Sequence, residues 1–110
     1  MTTLSASTAQ TVTAITTGMT ATGNSTDQVN ASVRVVAAQA SVTGSGAVSA
    51  TVNLQASLDG TNYVTIKTFS LSGTTSASDL ALLDATFLSY RVNVSAISGT
   101  NASVSVYIKT

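Results

Sequence analysis

Along most of this chain apolar and polar residues take turns, one position each, which is the periodicity of a β-strand with one face buried and the other in water. The longest run is Val48 to Leu58, where Val48, Ala50, Val52, Leu54, Ala56 and Leu58 share one face and Ser49, Thr51, Asn53, Gln55 and Ser57 the other. A second strand is predicted through Val29, Ala31, Val33, Val35 and Ala37, against Asn30, Ser32, Arg34 and Val36, with Gly44-Ser45-Gly46 supplying a turn after it. Asp59-Gly60-Thr61-Asn62 is a tight-turn sequence and Tyr63 to Leu71 the returning strand, so the pair reads as a hairpin. Within the returning strand Val64 and Ile66 have one parity and Phe69 and Leu71 the other, which calls for a bulge or bend near Lys67-Thr68. Leu88, Tyr90, Val92, Val94 and Ala96 alternate up to Ser98-Gly99-Thr100-Asn101, and Ala102, Val104, Val106 and Ile108 alternate after it, a pattern that predicts a second hairpin.

Two segments carry weaker patterns. Leu4 to Ile15 alternates through Ala6, Val12 and Ala14, as an N-terminal edge strand or an arm pairing with a neighbour would. Asp79 to Phe87 fits a short helix capped by Ser78 or Asp79, but Leu80, Leu82 and Leu83 serve a short strand and turn as well, and the strand is preferred. So many one-sided apolar strands cannot be covered by a single sheet. The expectation is one all-β domain, an antiparallel β-sandwich or jelly roll of about 6–8 strands, with residues 1–20 as arm or edge strand and 21–110 as the sandwich.

Composition sharpens this picture. Only 7% of the 110 residues are charged, against about 25% in an ordinary globular domain. Ser, Thr, Asn and Gln take the place of charge, and Val and Thr favour the pleated surface. The formal net charge is zero, with Arg34, Lys67, Arg91 and Lys109 set against Asp27, Asp59, Asp79 and Asp84 without clustering. A nucleic-acid partner needs a basic cluster and is not expected. Copies of a neutral chain do not repel one another, so self-association is expected. No run approaches the roughly 20 apolar residues of a membrane helix, and the N-terminus lacks a secretory pattern, which points to a product made in the cytoplasm with no membrane partner.

The chemical inventory is small. There is no His, Cys or Glu, so no thiolate, no imidazole base and no disulfide, and the many hydroxyls have no evident base to activate them. Asp79 and Asp84 are the only carboxylates close in sequence, and a cap and a loop residue explain them better than a catalytic pair. Calcium could draw oxygens from Asp59, Asn62, Asp79 or Asp84, but no alternating acidic loop is present and Asp59-Gly60 is better read as a turn. No catalytic, metal or cofactor residue is therefore expected. Parity places Tyr90 in the core and Tyr63 and Tyr107 opposite their apolar neighbours, where an aromatic ring can anchor a protein contact. With the mid-strand charges Arg34 and Arg91, these two tyrosines are the candidate interface residues. The absence of Trp argues against a sugar platform.

The stretches Val52-Asn53-Leu54-Gln55-Ala56-Ser57-Leu58-Asp59-Gly60-Thr61-Asn62-Tyr63 and Leu88-Ser89-Tyr90-Arg91-Val92-Asn93-Val94-Ser95-Ala96-Ile97-Ser98-Gly99 resemble a pattern of small β-sandwich proteins in tailed-bacteriophage particles, head decoration (cement) proteins among them. Discoidin-like jelly rolls show a similar pattern. Tyr63 stands where those families often carry Trp. The resemblance implies a virion structural protein without enzymatic activity, a homo-oligomer with a trimer as the expected form, docked on the major capsid protein or another virion protein. Its alternatives are a tail, neck or fibre-associated component and a discoidin-like carbohydrate-binding module.

Overall fold

The computed structural model describes residues 12–25, 29–30, 35–85, 87 and 89–109. They form nine strands: β1 (Val12–Met19), β2 (Gly23–Asn24), β3 (Val29–Asn30), β4 (Val35–Thr43), β5 (Val48–Ser57), β6 (Val64–Gly73), β7 (Ser76–Ala85), β8 (Ser89–Ser98) and β9 (Ser103–Lys109). All pairings are antiparallel, and the strands divide into two sheets, one ordered β1-β9-β4-β7 and the other β2-β8-β5-β6 with β3 also on β8. Apart from β2–β3 and β5–β6, every successive pair of strands lies in opposite sheets. That interleaving is the jelly-roll form of the sandwich, and it agrees with the expected fold class.

The alternation explains the core. From the four-stranded sheet Ala38, Ala40, Val42, Val104, Val106 and Ile108 point inward; from the other come Val52, Leu54, Phe69, Tyr90, Val92 and Val94. Most of these are Val or Ala, and a core of small, stiff side chains lets the two sheets approach closely over their whole area. Tyr90 is the largest fully buried side chain, and its hydroxyl is satisfied there by accepting the Phe87 backbone N–H at 2.9 Å. Burial pushes the Tyr90 phenol above its ordinary pKa.

The β5–β6 hairpin is as expected. Its bulge lies at Ile66, one residue before the predicted place: Leu54 pairs with Lys67 while Gln55 pairs with Thr65. The extra residue shifts parity, so Val64, opposite Ala56, and Phe69, opposite Val52, share the inner side; Phe69 and Leu71 are buried in the core, and Val64, at the start of the strand, is 67% exposed.

Several expectations are corrected. The predicted second hairpin does not exist: β8 pairs with β5 and β9 with β1 and β4, so Gly99–Ala102 is an arch from one sheet to the other. Ala96 is exposed, because Val52 pairs with Val94 and Thr51 with Ala96, which makes Ser95 an extra residue. Leu58 is 71% exposed, since β5 ends at Ser57, whose hydroxyl is drawn into the following turn. In β1 the buried apolar residue is Ile15, and Val12 and Ala14 face outward. The strand expected to end near Ala37 continues to Thr43, and past a register irregularity between Val35 and Ala37 the inward positions are Ala38, Ala40 and Val42. Of the two readings of Asp79–Phe87 the preferred strand is the one found, though longer than expected: Asp79 lies within β7, a full strand at the edge of the four-stranded sheet. The part of the expected arm before Val12, and Arg34, lie outside the described residues.

Candidate interaction surfaces

Sheet register sets out the two outer faces row by row. On the five-stranded sheet Asn24, Asn93, Asn53 and Thr68 stand side by side across β2, β8, β5 and β6. Their side chains form one directed chain. The Thr68 hydroxyl donates to Asn53 Oδ1 (2.9 Å), Asn53 Nδ2 to Asn93 Oδ1 (3.2 Å) and Asn93 Nδ2 to Asn24 Oδ1 (2.8 Å). In the neighbouring row Arg91 Nε donates to Gln55 Oε1 (2.8 Å) and Gln55 Nε2 to Thr65 Oγ1 (3.2 Å). These amides tie the four strands together on their wet side, each bond polarising the next.

Two of the predicted interface residues meet on this face. The Arg91 guanidinium carbon lies 4.2 Å from the centre of the Tyr63 ring, a cation–π contact, and the Tyr63 hydroxyl is 2.7 Å from Ser89 Oγ. Both side chains are half-buried, where parity had suggested an exposed Tyr63, and each already has a partner within the chain. Tyr107 is on β9, on the outer face of the other sheet, also half-buried.

That second face has a different character. Ala14, Tyr107, Gln39 and Leu80 form one row across β1, β9, β4 and β7, and Val12, Lys109, Ala37 and Leu82 the row beside it. Val12, Leu80 and Leu82 are 66%, 68% and 92% exposed, and Val12, Leu80, Tyr107 and Lys109 border a shallow depression of about 170 Å³. Towards the other end of the same strands the rows become Ser105, Ser41, Ser78 and then Ser103, Thr43, Ser76. One outer face therefore runs from apolar to hydroxyl-covered along its strands. The exposed leucines were missed by the sequence reading because both parities of β7 carry leucine: Leu80 and Leu82 on one, Leu83 on the other.

At the end of the sandwich the Asp59 turn is self-contained. Asp59 Oδ1 accepts the backbone N–H groups of Thr61 and Asn62 at 2.8 Å and the Ser57 hydroxyl at 2.8 Å, while Oδ2 accepts Asn62 Nδ2 at 2.9 Å. These donors hold the carboxyl well below the usual carboxylate range. Its oxygens are occupied by the turn, as the turn reading of Asp59-Gly60 expects. Beside it Leu58, Val64, Ile66 and Phe87 border an open apolar groove of about 420 Å³.

Among the described residues no three acidic side chains converge where a metal ion could sit, and no helix is long and apolar enough to cross a membrane. The chain matches no family model, no curated protein and no solved structure.

Proposed function

We propose that this chain is a structural unit of a larger assembly that acts by binding neighbouring protein subunits and performs no catalysis. The observation that carries this reading is the apolar end of the four-stranded sheet, where Val12, Leu80 and Leu82 stand exposed beside Tyr107. Exposed apolar area of this kind is stabilised by a partner's surface. A charge content of 7% with zero net charge leaves little to oppose close approach.

Within that class the resemblance favours a capsid decoration protein on the head of a tailed bacteriophage, present as a homo-oligomer and docked on the major capsid protein. Repetition on a symmetric lattice would let many weak patches hold firmly, because each bound subunit raises the effective concentration of the next contact. The jelly-roll form is compatible with this and does not by itself select it, since the same fold serves coat proteins and lectins alike.

The test is the mass of the purified chain by light scattering, together with its recovery on purified particles. An oligomer that sediments with virions supports the proposal; a monomer that never accompanies them overturns it.

A further inference from the structure

A two-sheet sandwich has four lateral edges, and here three of them are blunted. β1 breaks register twice, between Ala14 and Thr16 and between Thr16 and Met19. β2 and β3 are two residues each. β6 carries the bulge at Ile66, next to Lys67. Short strands, bulges and lysine are the usual means by which sheet edges are kept from pairing with other chains. β7 carries no lysine, and its one register shift lies past Leu82, towards Ala85: from Ala37↔Leu82 to Thr43↔Ser76 its register against β4 is unbroken.

Which groups that edge offers follows from the ladder. Gly44 N–H donates to the Thr75 carbonyl at 2.9 Å, so the odd-numbered residues of β7 bond towards β4 and the even-numbered ones, Ser78, Leu80 and Leu82 among them, turn their N–H and C=O outward. One of these outward groups is already taken. Leu80 N–H donates to Asp79 Oδ1 at 2.9 Å, so the carboxylate of the preceding residue sits on the edge it would otherwise leave open.

We propose that the free edge of β7 is a pairing site for β7 of a second copy of this chain, with the Asp79 carboxylate as its gate. The strand is its own complement. About a two-fold axis at Ala81 an antiparallel copy places Leu80 opposite Leu82 of the other molecule, twice, and both are residues whose backbone groups point outward. The two leucine pairs then meet on the outer face, where they are now 68% and 92% exposed. In that register the two Asp79 residues lie four positions apart along the strands, about 13 Å, too far for strong repulsion in water. The four-stranded sheets of two molecules become one continuous sheet, and its apolar outer rows run across both. The chemistry selects an extended strand rather than a helix or a small ligand, because what is unsatisfied is a row of backbone donors and acceptors.

This inference deepens the reading of the chain as an assembly unit and rests on it, and the experiment separates the two. Association of the purified full chain is measured by sedimentation for the wild type, Asp79→Ala, Leu82→Lys and the double variant. Leu82 is almost wholly exposed, so the lysine leaves the fold intact and only burdens the pairing edge. Asp79→Ala is expected to tighten self-association by about tenfold, the scale of a hydrogen bond to a carboxylate that no longer has to be broken. Adding Leu82→Lys is expected to return it to a monomer, and amide exchange at Leu82 is expected to slow only where dimers form. A monomeric Asp79→Ala chain, or association that survives Leu82→Lys, overturns the proposal. Recovery of the Leu82→Lys chain on particles reads the assembly role separately, since docking on a capsid surface does not need this edge.

Discussion

The bulge at Ile66 decides which side chains of β6 hold the sandwich together, and replacing Phe69 and Val64 one at a time by alanine tests it. In an unbulged strand Val64 and Ile66 would continue to Thr68 on the inner face, and Phe69 would stand in water. With Ile66 as the extra residue the parity shifts, so Val64, opposite Ala56, and Phe69, opposite Val52, both take the inner side; Phe69 is 0% exposed within the core, and Val64, at the start of the strand beside the open groove, is 67% exposed. Deleting a buried phenyl ring removes its transfer free energy and leaves a cavity, together about 3–5 kcal/mol. The upper part of that range is expected here, because the surrounding core is mainly Val and Ala, whose short, stiff side chains cannot swing in to fill the space. Val64→Ala, by contrast, trims an exposed side chain and should stay within about 0.5 kcal/mol of the wild type. Urea unfolding followed by circular dichroism gives both values, and a domain with about 5–15 kcal/mol in total makes the first conspicuous. If Phe69→Ala proves as mild as Val64→Ala, Phe69 does not face the core, and the bulge that places it there is wrong, and with it the register of β5 against β6.

Three further outcomes follow from the turns and the core. Gly99 has φ of 120° and a Cβ there would lie 2.6 Å from the Ala47 carbonyl oxygen, so Gly99→Ala is expected to lose about 1–3 kcal/mol in thermal or urea unfolding; a neutral result would mean that the two turns do not pack as described. Tyr90→Phe keeps the ring and strands the Phe87 N–H, a loss of about 1–3 kcal/mol by the same assay, whereas a more stable variant would show that this N–H has another acceptor. Asp59 has a folded-state pKa below its unfolded one, so its stabilisation is present above the ordinary carboxylate range and lost as pH falls through that range towards the lower folded value. The difference in melting temperature between the wild type and Asp59→Ala is expected to shrink as the solution is acidified, and a gap that is independent of pH would refute the assignment.

How much of this was legible beforehand can be judged strand by strand. Period-two alternation located β5, β6, β8 and β9 and named most of their inward residues, because burial of one face leaves its mark on every second position. The partner of each strand left no such mark. Gly99-Thr100-Asn101 reverses the chain, with positive φ at Gly99 and Asn101, but a reversal serves an arch between sheets as readily as a hairpin within one. What distinguishes them is that Ser45 N–H donates to the Thr100 carbonyl at 2.9 Å, a contact between turns 55 residues apart that no local pattern encodes. The register shifts were legible only where apolar residues flanked them on both sides. Phe69 and Leu71 announced the one at Ile66, while Ser95, in a run that alternates smoothly through Ala96, announced nothing. Of the candidate interface residues, Tyr63 and Arg91 lie opposite the buried positions of their strands as parity said, but it could not say that they would meet each other.

The two outer faces together explain how so little charge can suffice. A sheet face covered with Asn, Gln, Ser and Thr stays hydrated without ions, and on the five-stranded sheet those groups also bond one another across the strands. The hydration comes at no risk of pairing there, since the edges beside it are short or bulged. On the four-stranded sheet the same economy stops halfway: the hydroxyl rows give way to Val12, Leu80 and Leu82, the two leucines on an edge strand that pairs regularly from Ser76 to Leu82 and carries no lysine. The Asp79 carboxylate sits on that edge. A chain selected only to remain a dispersed monomer would be expected to place lysines along β7, as isolated sheets commonly do. Leaving leucines there instead is consistent with a surface that is covered in use, which is why the Asp79 and Leu82 variants discriminate more sharply than any change in the core.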